Sequence, residues 1–122
     1  MVMPTPAPFL DAKPLGSVIK QLSELPKWTW LYISNSESRV TLTTKCSQTA
    51  VDSRQMSEQE IDDIESSAVL AGLKCFLSRE QLEDIIGNLG QQEPQFTAEQ
   101  LAAAVDYNWR HDAFVDLSKH PA

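Results

Sequence analysis

The sequence predicts an α+β fold: a small antiparallel sheet, built on a hairpin of residues 28–33 and 39–45, packed with about four helices. Three observations predict it. The run Trp28-Thr-Trp-Leu-Tyr-Ile33 is aromatic and β-branched, as strands are. A polar turn, Asn35-Ser-Glu-Ser38, separates it from a second such run, Arg39-Val-Thr-Leu-Thr-Thr-Lys45. Further on, three segments open with a Ser or Thr followed three residues later by Glu or Gln, the signature of a helix capping box. One such match is common by chance, but three, each followed by apolar residues at helical spacing, define an architecture.

The elements follow in order. Residues 1–14 hold four of the seven prolines and little periodicity, which predicts an extended lead-in ahead of a single domain over 15–122. Leu15, Val18, Ile19, Leu22 and Leu25 then fall on one helical face, and Pro26 stops that helix. After the hairpin, a weak strand pattern covers part of Ser47–Asp52. The capped helices begin at Ser57…Glu60, Ser78…Gln81 and Thr97…Gln100. The first has Ile61, Ile64, Ala68 and Ala71 as its apolar stripe and ends near Gly72. A short extended piece, Leu73-Lys-Cys-Phe-Leu77, leads to the second, with Leu82, Ile85, Ile86 and Leu89 buried and Gly90 as its C-terminal stop. The third uses Leu101, Ala104, Val105 and Asn108, with Tyr107 and Trp109 on its flanks, and Ala113-Phe-Val-Asp-Leu117 closes the domain as a docked tail or a last short strand.

At 122 residues the chain has room for one hydrophobic core, and its 42% hydrophobic and 22% charged content is ordinary for a folded domain. No apolar run approaches the roughly 20 residues that span a bilayer, and the N-terminal residues lack the basic and apolar regions of a signal peptide. A cytoplasmic protein without a membrane partner is expected. Cys46 and Cys75 then read as buried free thiols rather than a disulfide or a zinc pair, since no further ligand lies two to four residues from either.

Charge is distributed unevenly. Of the net −7, residues 1–49 contribute five bases less three acids, +2, and residues 50–122 contribute five bases less fourteen acids, −9. An anionic surface repels phosphate backbones and attracts basic proteins, so no nucleic-acid partner is expected. Helical projection at 100° per residue points Asp62, Asp63, Glu80, Glu83, Asp84 and Asp106 away from the apolar stripes. Solvated helix faces account for any one of them. Together, with few lysines or arginines among them, they are the candidate partner-binding residues.

Catalytic signatures are sparse. Only two histidines are present; His111 precedes Asp112 on a helix, where neighbours point apart, and His120 lies near the C-terminus. A Cys75–His111 thiol and base is the one nucleophilic pairing available, without local support. The four glycines match no phosphate loop, and Glu58-Gln-Glu-Ile-Asp-Asp63 lacks the alternation and glycine of a calcium loop. No metal, no cofactor and no enzymatic activity are expected. Trp28, Trp30 and Tyr32 share one strand face, which reads as core packing rather than a base-stacking platform, given the negative balance.

The segments Leu25-Pro-Lys-Trp-Thr-Trp-Leu-Tyr-Ile33 and Ala104-Val-Asp-Tyr-Asn-Trp-Arg-His-Asp-Ala-Phe-Val115 resemble small bacterial immunity proteins of toxin–immunity systems, including those of contact-dependent growth inhibition. The likeness spans roughly residues 15–117. It implies a non-enzymatic inhibitor that binds and neutralises a cognate toxin domain, a basic nuclease, in the cytoplasm of the producing cell. An acidic adaptor for a different basic protein, a nucleic-acid mimic and an unrecognised enzyme are the alternatives.

Overall fold

A computed structural model describes residues 12–25, 29–48 and 57–119. Four antiparallel strands form one sheet in the order β1-β3-β2-β4. The strands are β1 (Lys13–Pro14), β2 (Trp30–Ser34), β3 (Lys45–Gln48) and β4 (Leu73–Ser78). Four α-helices accompany them among the described residues: α1 (Leu15–Lys20), α2 (Glu58–Leu70), α3 (Arg79–Gln92) and α4 (Ala98–His111). The α+β class is as the sequence predicts. The end of the expected lead-in is already part of the sheet, with Lys13 opposite Cys46 and Pro14 opposite Lys45.

Alternation along β2 divides the core in two. Leu31 and Ile33 point into the main cluster with Leu15, Val18, Leu22, Leu82, Ile85, Leu89, Ala104 and Val105, so α1, α3 and α4 cover this face. Trp30 and Tyr32 point the other way, onto Ile64 and Ala68 of α2. The strand is therefore sandwiched, as its unbroken apolar run requires. Trp28, expected beside Trp30 and Tyr32, lies outside the described residues. On β4, three steps from Cys75 to Ser78 match two on β2 from Tyr32 to Trp30. This bulge lets the consecutive Phe76 and Leu77 both enter the main core.

The hairpin has a different return strand from the one expected. Its partner for β2 is 45–48, with Leu31 opposite Gln48 and Tyr32 opposite Ser47, while 39–44 belongs to the connection. The backbone groups of that segment are engaged elsewhere. Thr41 N–H donates to Thr44 Oγ1 at 2.9 Å, and Thr44 N–H donates to Thr41 O at 3.1 Å, closing a turn. The carbonyls of Thr44 and Leu42 accept from the N–H groups of Leu15 and Gly16, each at 2.8 Å. They thereby satisfy orphan donors at the start of α1. A Cβ on Gly16 would sit 3.3 Å from Leu42 O and 3.4 Å from Leu42 Cβ, so glycine permits that close approach.

All three capping boxes form. Ser57, Ser78 and Thr97 each accept from the N–H three residues on, and Glu60, Gln81 and Gln100 reach back to the N-cap N–H. Gly72, at φ 73°, ends α2 as expected. Gly90 does not end α3, which runs on to Gln92. The extra turn is held by the tail: Gln92 Nε2 donates to Val115 O at 2.7 Å, and Leu117 N–H donates to Gln92 Oε1 at 2.9 Å. Val115 is buried by this clamp, so 113–117 is a docked tail and not a strand. The N-terminal helix, expected to run to Leu25, is α1 followed by a 3₁₀ turn over Leu22–Glu24.

Candidate protein-binding surface

The acidic candidates divide among three environments. Asp62 and Asp63 are exposed on α2. Glu80, Glu83 and Asp84 are exposed on α3, across the sheet from α2. Asp106 is buried. The structure therefore does not merge the six into one surface.

Asp106 requires a correction. Its Oδ1 accepts the N–H of Val40 at 2.8 Å, and its Oδ2 accepts from Arg110 Nε and Nη2, both at 2.9 Å. The carboxylate joins α4 to the connection between β2 and β3 and is not available to a partner. Helical projection misses this because α4 is covered on two flanks, and the second is covered by a segment 66 residues away. Glu83 is also partly engaged, at 3.3 Å from Arg79 Nη2. Arg79 in turn donates through Nη1 to the carbonyl of Leu25.

Helix α2 gathers the densest charge. Its 13 residues include Glu58, Glu60, Asp62, Asp63 and Glu65 and no basic residue. Glu60 completes the capping box, and Asp63 accepts from Gln59 Nε2 at 2.9 Å. With Ile64 and Ala68 against the sheet, the spacing i, i+4, i+7, i+11 lines up Glu58, Asp62, Glu65 and Val69 along the solvent side. Val69 is 74% exposed and the adjacent Leu70 is 88% exposed. Ile61, expected in the buried stripe, is 38% exposed. One exposed aliphatic is unremarkable, but two at the end of an acidic stripe form an apolar tip on a charged shaft. The sequence signal for them was present: Val69 and Leu70 fall outside the Ile64/Ala68 spacing.

The thiols occupy different settings. Cys46 is buried in the main core, and burial, reinforced by Glu37, pushes its thiol up to about 12. Cys75 is exposed, not buried as expected. Partial burial and then the Glu65 carboxylate raise its thiol above the ordinary value, opposed by a hydrogen bond from the Phe76 backbone. Cys75 lies opposite Tyr32, whose hydroxyl is pushed up to about 12 by burial and then by Cys75 and Glu65. Both belong to the α2 side, whereas His111 ends α4 on the other side, its ring 4.5 Å from that of Tyr107. The sheet separates Cys75 from His111, so that thiol and base do not meet. Among the described residues, no three His, Cys, Asp or Glu side chains converge as a metal site, and no helix is long and apolar enough to cross a membrane.

Fold and surface together define a small α+β domain with helices on both faces of its sheet, the acidic helix α2 covering one of them among the described residues. The chain belongs to a family described as a domain of unknown function, DUF7716, whose model matches residues 12–117. That span runs from the residue before β1 to Leu117, which the Gln92 clamp holds. No curated protein and no solved structure matches the chain.

Proposed function

We propose that this domain is a non-enzymatic immunity protein that binds a basic toxin domain, of the nuclease class, through the outer side of α2. The observation that supports this reading is the composition of that helix: five carboxylates with no cation, of which Glu58, Asp62 and Glu65 line the outer side towards exposed Val69 and Leu70. Carboxylates accelerate encounter with a cationic surface, and a desolvated aliphatic contact slows departure. A nuclease is basic where it holds phosphate, so an acidic helix laid across that site occludes it. The proposed surface is narrower than the six residues read from the sequence. It retains Asp62 and Asp63, adds Glu58, Glu65, Val69 and Leu70, and leaves Glu80, Glu83 and Asp84 on a separate face.

The test uses the full chain as bait in cells carrying its neighbouring genes. The expected result is capture of a basic protein that arrests growth when expressed alone and is harmless when co-expressed with this chain. Capture of a basic protein with no toxicity would replace the immunity reading with that of an acidic adaptor. Failure to retain any basic protein would remove both.

A further inference from the structure

A second feature, on the opposite face of the sheet from α2, has the makings of a recognition pocket. Between the first half of α3 and the C-terminal end of α4 lies a cleft of about 290 Å³, lined by Gln81, Asp84, Asn108, Asp112 and Phe114. Two carboxylates and two carboxamides give it an acceptor-rich wall. Phe114 is one of the few large apolar side chains left exposed, at 47%. Among the described residues, Asp84 and Asp112 engage no cation and accept no side-chain hydrogen bond; the nearby Arg79 and Arg110 pair instead with Glu83 and Asp106, each four residues away. Gln81 is held in place at this opening by its Oε1, which accepts the Ser78 N–H in the capping box of α3.

We infer that this cleft receives the guanidinium of an arginine side chain presented by a protein. The chemistry is specific to that group. A guanidinium carries five donors in a planar fork that two carboxylates and an amide oxygen match, and its flat face stacks on an aromatic ring. An anion is repelled by Asp84 and Asp112, and a purely apolar ligand leaves the carboxylates without partners. A cleft of this volume, at the lower end of those that hold small ligands, has room for one arginine side chain. The inference deepens the reading of the domain as a binder of basic proteins and rests on it for the source of the arginine. The cleft itself is independent of α2.

The test therefore uses a probe that needs no partner. N-acetyl-arginine amide is titrated into the full-length protein, with amide resonances followed by NMR and N-acetyl-citrulline amide as the uncharged isostere. The arginine probe is expected to shift the amides of Asp84, Asn108, Asp112 and Phe114 saturably, and the citrulline probe to leave them in place. The double variant Asp84→Asn, Asp112→Asn should weaken the arginine response about tenfold, the scale of a lost charge-assisted hydrogen bond. Asparagine tolerates the left-handed backbone that Asp112 adopts at φ 52°, so this variant keeps the C-cap of α4. Phe114→Ala supplies a second, fold-neutral perturbation and should also weaken the response. Equal shifts with citrulline, no shift with arginine, or unchanged binding by the double variant would overturn the inference. None of these outcomes bears on α2, whose loss would instead appear in partner capture while this titration stayed intact.

Discussion

Replacing Asp106 tests whether the buried carboxylate is structural, and the magnitude follows from its partners. Asp106→Ala removes the acceptor of the Val40 N–H, which lies in a buried setting, and strands the guanidinium of Arg110. A buried donor without a partner costs about 1–3 kcal/mol, and a hydrogen bond to a charged group contributes about 1.5–3 kcal/mol. These overlap, because both concern one carboxylate, so the expected loss is about 3 kcal/mol. Asp106→Asn keeps an oxygen for Val40 and sacrifices only the charge facing Arg110, for about 1 kcal/mol. Arg110 is about a third exposed, so Arg110→Ala should cost only about 0.5 kcal/mol, as an i,i+4 pair near solvent does. Urea denaturation followed by circular dichroism gives the three values, and thermal melting should fall by about 4 °C per kcal/mol. Hydrogen exchange at the Val40 amide should accelerate in the alanine variant alone. A loss below about 0.5 kcal/mol for Asp106→Ala, or equal losses for alanine and asparagine, would refute the assignment of Asp106 to the fold.

Four further outcomes follow from the geometry. Gln92→Ala should release the tail, costing about 1–2 kcal/mol for two hydrogen bonds, one partly buried and one exposed, and opening 113–117 to limited proteolysis. Ser78→Ala, at the buried N-cap joining β4 to α3, should cost about 1 kcal/mol by denaturant titration, whereas Gly, which relaxes the cap more cheaply, should cost less. The thiols and Tyr32 set the alkaline behaviour. Their folded values lie above the ordinary 9.0 for Cys46 and 10.0 for Tyr32, so the neutral forms favour the fold. That contribution is present in full below pH 9 and is lost as pH rises towards about 12, so unfolding free energy should decline across this window. At pH 8 a thiol reagent should modify exposed Cys75 first and buried Cys46 only on unfolding.

Local chemistry was the legible part of this molecule. The capping boxes at Ser57, Ser78 and Thr97 are complete within four residues, so no distant contact is needed to specify them. Alternation in β2 likewise reads directly into two buried faces. What failed to be legible depends on contacts between distant segments. The β-branched run 39–45 has strand propensity, but its backbone groups are taken by α1, by its own threonine turn and by Asp106. Gly90 has the chemistry of a helix stop, and the tail docked on Gln92 carries the helix past it. Asp62, Asp63, Glu80, Glu83 and Asp84 are exposed, as helical projection places them, and Asp106 is buried. Their division between two faces was not readable, because helical projection carries no information about which side of a sheet a helix covers.

The central claim is that the carboxylates of α2, and not Glu80 and Glu83 of α3, steer the partner. Two equally charged variants separate them: Asp62→Lys with Glu65→Lys on α2, and Glu80→Lys with Glu83→Lys on α3. Association rates with the captured partner should be measured at low and at physiological salt. The α2 variant should associate at least about tenfold more slowly at low salt, with most of the difference lost at higher ionic strength, while the α3 variant should change little. Equal slowing by both variants, or an effect confined to α3, would contradict the account.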